Sequence, residues 1–419
     1  MIRLNLRHLR AFAQVAATGS ISAASGKVFL SQPAITQALA KLEEAIGTPL
    51  FLRKSTGMFL TEAGELLRAR VDRALFILAR AARRVVRSGR SKSAGFANFD
   101  HLLTTVQLRC FLALCETGNY SWSARNLGVS RPSVHRAIND LERISGIQLF
   151  TRSAQGFEPT HAGDALRQSA LLAFAELKQG LEEVSMLLGR DTARIVLGSL
   201  PLARSFILPK AINDLSAIRP DVRIEARDGA YKDMLHALRY GEMDILIGAL
   251  RDPLPVDDVV QEELFVDRLA IAARAGHPLA GKRRLGADTL AQFPWVTPSP
   301  NIPTRQHFDA LFENAARPAP DRIVETSSLI LIRGLLLGSD RLTIISRHQI
   351  AGELEEGVLT TLDFTLDGSD RPIGITTRRD WSPTATQSLF LDLLREICSG
   401  NMTWMQMKKA SHTAVRGLT

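Results

Sequence analysis

Residues 130–150 read SRPSVHRAINDLERISGIQLF, and 99 positions earlier residues 31–51 read SQPAITQALAKLEEAIGTPLF. Each begins with a serine able to cap a helix, followed two positions later by a proline in the first turn, where a missing N–H costs nothing. Val134, Ala137, Ile138 and Leu141 recur at spacings of three and four and so share one face of that helix. The opposite face carries Arg131, Ser133, His135, Arg136 and Asn139, short donors and cations gathered near the helix N-terminus. A glycine then breaks the helix, and a Leu-Phe pair opens an extended segment.

Sliding the chain by 99 aligns Leu9–Leu67 with Leu108–Leu166 without a gap, and 20 of the 59 positions are identical. A period of that size is domain-sized, so the first 190 residues hold two copies of one small domain and not a solenoid. Both copies share a plan. A helix over Leu6–Ala17 stops at Thr18-Gly19. A short helix begins near Ser22 and ends before Leu30, and the third starts at Ser31. After Gly47, Leu50–Arg53 and Met58–Leu60 read as two strands joined by a tight turn at Lys54–Gly57. This is a winged helix-turn-helix, whose reading helix enters a DNA major groove by its N-terminal residues. Arg53 and Lys54 in the first copy, and Arg152 in the second, stand where a wing meets phosphate.

Thr61 and Thr160 each cap a long helix. In the first, Leu67, Val71, Ala74, Leu78, Ala81 and Val85 step by four and three; in the second, Leu166, Ala170, Ala173, Leu177, Leu181, Val184 and Leu188 do the same. Such a seam needs a partner helix. The second long helix is expected to dimerise the protein, while the first pairs with its symmetry mate or packs inside the chain. The polar face of the first, with Arg68, Arg70, Arg73, Arg80, Arg83, Arg84 and Arg87, is expected to track phosphates or to be solvated. Arg87–Gly95 reads as a linker, and a second boundary falls at Gly189–Asp191.

Charge follows the same division. Residues 1–100 hold 16 Lys/Arg against 6 Asp/Glu, residues 101–190 hold 9 against 8, and residues 191–419 hold 27 against 29. The basic excess therefore sits in the first quarter of the chain and points to a polyanion partner there. The three cysteines are too scattered for a disulfide framework or a zinc site. There is no signal-peptide core and no run of 18 apolar residues, so the protein is expected to be cytoplasmic, with no membrane association.

From Arg194 onward strands alternate with helices. Strands are read at Arg194–Gly198, Val222–Glu225, Asp244–Gly248, Leu269–Ala273, Trp295–Thr297, Leu342–Ser346 and Pro372–Thr376. Helices are read at Ile207–Ile218, Lys232–Tyr240, Ser327–Leu337 and Ser388–Ile397. The alternation argues for a mainly parallel, open sheet. The fold class is therefore α/β multidomain. The expected divisions are 1–94 and 95–190 for the two winged copies with their long helices, 191–400 for the α/β domain, and 401–419 for a flexible tail. No HExxH, GxSxG, P-loop or GxGxxG is present, and no catalytic residue, metal site or cofactor is expected.

Thr18-Gly19-Ser20, Ser31-Gln32-Pro33-Ala34, Leu42-Glu43, Pro49–Arg53 and Leu60–Gly64, in that order and spacing, resemble the DNA-binding domain of LysR-type transcriptional regulators. Residues 191–397 are similar to that family's effector-binding domain, whose two α/β subdomains resemble type 2 periplasmic binding proteins. Here the subdomains fall at about 191–268 with 371–400, and about 269–370. Asp244–Gly248, Leu331–Leu337 and Leu342–Arg347 are most similar to the galactose-binding-protein-regulator branch. A typical member carries one winged domain; this chain carries two.

The resemblance implies Ser31, Gln32, Thr36 and Gln37 in the first copy, and Ser130, Arg131, Ser133, His135 and Arg136 in the second, as base or phosphate contacts. It implies an effector cleft lined by Ser199, Leu200 and Pro201, by Asp228–Tyr231, by Ser299–Thr304, by Ser327 and Ser328, and by Ser346. Helix N-termini and hydroxyls of this kind suit an organic acid or a sugar. The implied partners are double-stranded promoter DNA, a small-molecule effector, RNA polymerase and further copies of the chain as a homodimer or homotetramer. The alternative expectation is an architectural DNA-binding protein without an effector, with a steep salt dependence and little sequence preference.

Overall fold

The computed structural model describes residues 4–88, 96, 98–190, 193–205, 207–300, 302–316 and 318–399. Of the linker read at Arg87–Gly95, residues 89–95 lie outside the described residues, as do 191–192 of the second boundary and the tail from Asn401. The described residues form two compact units. One takes in the chain up to Arg194 with 221–223 and 236–242; the other takes in the rest.

In the first unit the two copies fold alike. The first comprises α1 (Leu6–Thr18), α2 (Ile21–Val28), α3 (Gln32–Ile46), β1 (Phe51–Lys54), β2 (Gly57–Leu60) and the long α4 (Glu62–Ser88). The second comprises α5 (Thr105–Thr117), α6 (Tyr120–Leu127), α7 (Arg131–Ser145), β3 (Phe150–Ser153), β4 (Gly156–Pro159) and the long α8 (His161–Leu187). The caps explain the boundaries. Ser31 Oγ accepts from Ala34 N and Ser130 Oγ from Ser133 N, while Gly47 and Gly146 close the reading helices in the left-handed region. Each wing is bolted to its helix by one carboxylate. Glu43 Oε1 accepts from Leu50 N at 2.8 Å and Phe51 N at 3.2 Å, and Glu142 Oε1 accepts from Leu149 N at 2.7 Å and Phe150 N at 3.3 Å. The long helices start so close over the wings that a Cβ on Gly64 or Gly163 would lie 2.2 Å from the carbonyl oxygen of Leu50 or Leu149.

The division expected at 94/95 separates two sequence copies but not two cores. Leu67, Val71, Ala74 and Leu78 of α4 are buried in the same cluster as Leu166, Ala170, Ala173, Leu177 and Val184 of α8. The expected dimerisation seam of α8 is therefore covered from within the chain: Leu177 is only 1% exposed before any second copy arrives. A heptad stripe states that a partner helix exists and is silent on which chain supplies it.

In the second unit, β5 (Arg194–Ser199), α9 (Pro201–Ser205), α10 (Ile207–Ile218), β6 (Arg223–Asp228), α11 (Tyr231–Arg239) and β7 (Ile245–Ala249) lead into β8 (Val259–Arg274). There follow α12 (Ala287–Ala291), β9 (Trp295–Thr297), α13 (Pro303–Glu313), β10 (Ile323–Glu325), α14 (Leu329–Leu337), β11 (Leu342–Ser346), α15 (Ala351–Glu355), β12 (Leu359–Thr361), β13 (Asp370–Arg378) and α16 (Ala385–Ser399). The strands join in the order β10-β9-β11-β8-β13-β7-β5-β6, with β12 also on β8. The sheet is mixed and not mainly parallel. β5–β7, β9–β10 and β9–β11 are parallel, whereas β8 and β13 run antiparallel to each other and to β11 and β7. The strand read at Leu269–Ala273 is only the second half of β8. Its first half pairs with β13 through Arg268, and its partner becomes β11 from Leu269. One strand, β8, thus runs through both halves of the sheet, with parallel pairs on either side. Within the β8–β13 ladder the register shifts at Ile373/Gly374, where a Cβ on Gly374 would lie 1.9 Å from the Glu262 carbonyl oxygen.

Candidate nucleic-acid interface and effector region

The reading helices present their expected residues outward. Ser31, Gln32 and Gln37 are exposed and Thr36 is half-buried. Thr36 Oγ1 bonds back to the Gln32 carbonyl at 3.0 Å, and Gln32 Nε2 reaches Ser22 Oγ at 3.3 Å. On α7, Ser130, Arg131, His135 and Arg136 are exposed and Ser133 is half-buried. Ser130 and Ser133 share a hydroxyl contact of 2.8 Å, and His135 Nδ1 lies 3.1 Å from Asn139 Nδ2 with its ring 5.3 Å from that of Tyr120. Arg53, Lys54 and Arg152 project from the outer part of the wings, exposed, with the Lys54 ammonium over the Phe59 ring at 5.4 Å. These are cations held ready at the surface at a helix start and on a hairpin, the two places from which a winged domain touches a duplex.

The arginine face of α4 divides in a way the sequence did not show. Arg70 is 3% exposed, and its guanidinium binds Glu176 at 3.0 Å, Gln179 at 3.0 Å and Glu183 at 2.6 Å, all on α8. Arg73 reaches Glu176 at 3.0 Å and Arg68 reaches Asp72 at 3.4 Å. Burial alone would lower the Arg70 pKa, but the two carboxylates outweigh it and raise it. Arg70 is thus engaged within the chain and no phosphate tracker; Arg68 and Arg73 are paired but partly exposed, and Arg83 and Arg84 are exposed.

In the effector region Ser199 ends β5 and is 2% exposed, and its carbonyl accepts from Arg204 Nη2 at 3.1 Å. Leu200 is buried and Pro201 opens α9. Tyr231 begins α11 with the Arg251 guanidinium stacked at 4.7 Å. Ser299 is exposed ahead of α13, Thr304 lies half-buried in its first turn, and Ser327 and Ser328 are exposed before α14. Ser346 is fully buried, its hydroxyl donating to Asp267 Oδ1 at 2.6 Å. Burial by itself would raise the Asp267 carboxyl. The bonds from His348 Nδ1 (2.9 Å), Ser346 and Arg371 (2.9 Å) outweigh it and hold the group below the ordinary carboxylate range. Sequence reasoning missed Asp267 because it lies in the polar half of β8. It also missed the hydroxyls of Ser205 and Thr297, which like that of the expected Tyr231 are buried without a hydrogen-bond partner. Lys210 is bound to Asp214 at 2.8 Å. A cavity of 160 Å³ is lined by Ser205, Arg333, His348 and Glu353, and by none of the effector residues read from the sequence. Among the described residues no group of three or more His, Cys, Asp or Glu side chains is placed to hold a metal, and no helix is long and apolar enough to cross a membrane.

Winged helix-turn-helix copies followed in the chain by a mixed sheet with one long strand through both halves define a one-component transcriptional regulator: a helix-turn-helix region on the same chain as an effector-binding domain. The model described as "Bacterial regulatory helix-turn-helix protein, lysR family" matches residues 6–65 and again 105–164, and the "LysR substrate binding domain" matches 189–399. The chain belongs to the LysR family of transcriptional regulators. It is 36% identical over 376 residues to the HTH-type transcriptional regulator GalR of Pseudomonas putida KT2440, covering 89% of this chain and 92% of that one. That alignment is too long to omit either copy. PcaQ of Agrobacterium fabrum is 28% identical over 300 residues, 71% of this chain and 96% of its own. Among solved structures, a full-length OxyR variant from Pseudomonas aeruginosa shares the fold at a TM-score of 0.51 and 21% identity, covering 69% of this chain and 97% of that one. LysG from Corynebacterium glutamicum, with bound effector Arg, does so at a TM-score of 0.51 and 20% identity, covering 70% and 97%.

Proposed function

We propose that this regulator binds promoter DNA through the N-terminal residues of α3 and α7 with their wings, and that a small hydroxyl-bearing or acidic metabolite in its α/β domain alters that binding and so the access of RNA polymerase. The observation that carries the reading is the state of the reading surface. Gln37, Arg131, Arg136, Arg53 and Arg152 are exposed and make no ion pair within the described chain, although the same helices are rigidly capped and bolted to their wings. Side chains left unpaired on a fixed frame suit bidentate contacts to base edges and phosphates. The orphaned hydroxyls of Thr297 at the end of β9, Tyr231 just after β6 and Ser205 at the end of α9 support a polar ligand. Ser199, Leu200, Pro201, Ser299, Thr304, Ser327 and Ser328 border the same strand ends and helix starts, and the exposed Ile330, Leu331 and Leu337 of α14 support assembly of further copies. The test is DNase protection of the region upstream of the protein's own coding sequence, with and without a panel of organic acids and sugars. The expected result is a protected tract whose pattern changes with one compound and whose protection is lost in Arg136→Ala. An unprotected upstream region would count against the reading.

A further inference from the structure

The two long helices do more than share a core. Arg70, early in α4, binds Glu176, Gln179 and Glu183, late in α8, so the helices run antiparallel. Leu6 N donates to Thr105 Oγ1 at 2.9 Å, and that hydroxyl donates to the Leu4 carbonyl at 2.8 Å. Positions 6 and 105 are equivalent in the 99-residue repeat. A residue touches its own mate only near a two-fold axis. Arg10 extends the junction, donating through Nη1 to the Leu103 carbonyl at 3.0 Å and through Nη2 to that of Asp100.

The pairing is also specified against its alternatives. Shifting by one period turns Glu176, Gln179 and Glu183 into Ile77, Arg80 and Arg84, and turns Arg70 into Ser169. In the same antiparallel packing, α4 against another α4 sets a buried arginine against two arginines. Likewise α8 against another α8 leaves two shielded glutamates facing serine. Both leave uncompensated buried charge, whereas α4 with α8 neutralises it.

Comparing the heads position by position shows what the duplication separates. The frame is the same: Ser31/Ser130, Pro33/Pro132, Leu42/Leu141, Glu43/Glu142, Gly47/Gly146 and Gly64/Gly163. The cap serine and the wing arginine, Arg53/Arg152, are also shared, but three reading positions differ: Gln32/Arg131, Thr36/His135 and Gln37/Arg136. The flanking surface differs too. Phe29, at φ +54 and 92% exposed in the turn before α3, has the conformation that Gly128 occupies before α7. Trp122, 55% exposed with Arg125 stacked at 4.8 Å, replaces Ala23.

We infer that each chain is a single-chain pseudo-dimer of heads, and that one chain reads two unlike half-sites on one duplex. Ordinary two-fold dimers require matching half-sites; this chain keeps the two-fold frame and breaks the identity of the readers. The inference rests on the DNA-reading role proposed above.

The experiment is enrichment of bound duplexes from a random pool by the full-length protein. The expected motif has two different blocks with centres about one helical turn (~10 bp) or a multiple apart. Gln37→Ala should relax one block and Arg136→Ala the other, each losing roughly 5- to 150-fold in discrimination at its own position. The combined Gln32→Arg, Ala34→Ser, Thr36→His, Gln37→Arg and Ala40→Asn variant, which gives α3 the five reading-face residues of α7, should turn the motif into an inverted repeat of the second block. A single block, a palindrome from the unmodified protein, or two substitutions acting on the same positions would overturn the inference alone. A wild-type protein that enriches nothing would overturn both it and the DNA-reading role.

Discussion

Replacing Arg70 with methionine keeps most of the side-chain volume and removes the charge. Glu176 and Glu183 are then left with side-chain exposures of 7% and 14% and without the guanidinium that faces both. Arg73 still reaches Glu176 from a more exposed position, so the stranded charge is chiefly that of Glu183. Breaking a buried pair by removing one partner costs about 3–5 kcal/mol. For a unit of this size that is a fall in melting temperature of roughly 6–20 °C. Adding Glu176→Gln and Glu183→Gln removes the stranded charges, so the triple variant should recover much of the loss. Differential scanning calorimetry of the full chain, with all the single and combined variants, gives the cycle. A loss below about 1 kcal/mol for Arg70→Met, or no recovery in the triple variant, would refute the claim that charge specifies the α4–α8 pairing.

Further outcomes follow from other contacts. Leu177→Glu should unfold the first unit, measured as lost helical circular dichroism at moderate temperature; a fully folded variant that merely changes mass by light scattering would restore the dimerisation reading of α8. Phe29→Gly should raise stability by about 0.5–1 kcal/mol, because the left-handed conformation costs an L-residue roughly 1–2 kcal/mol while glycine gives part of that back as backbone entropy; a lower melting temperature would contradict this. Because the Asp267 carboxyl is held low, its contribution is fully present above the unfolded carboxylate value, about pH 4, and disappears as pH falls through the lower folded value. Asp267→Asn should therefore destabilise the second unit at pH 7 and narrow its difference from wild type in strong acid; a difference independent of pH would refute the assignment. Burial pushes Cys115 up to about 12 and Cys398 up to about 11, so native-state labelling by a thiolate-selective alkylator at pH 7.5 should be slow at both, and rapid labelling would disprove it.

The reading heads were legible because their signals are local. A serine cap, a proline in the first turn, a glycine in the left-handed region and a three-four apolar stripe each act within a few residues, and their recurrence after 99 positions made the plan unmistakable. What stayed hidden depends on residues distant in the chain. Arg70 sits among arginines in the sequence and only the fold brings it to Glu176 and Glu183. The seam of α8 declared a partner without naming α4. The first half of β8 is rich in charged and polar residues, since much of it faces solvent, so a strand of 16 residues read as one of five. Ser346 looked like a free hydroxyl at a strand end until Asp267, 79 positions away, claimed it.

The central claim, that both winged copies of one chain rest on DNA, is tested most directly by the salt dependence of binding. Each phosphate contact contributes about 0.9 to the slope of log affinity against log salt. Fluorescence anisotropy of the full-length protein on one enriched duplex would compare wild type with Arg53→Ala plus Lys54→Ala, and with Arg152→Ala. The slope should be shallower by about two contacts for the first variant and about one for the second. A slope unchanged by either lesion would mean that the corresponding head stays off the duplex, and would contradict the account.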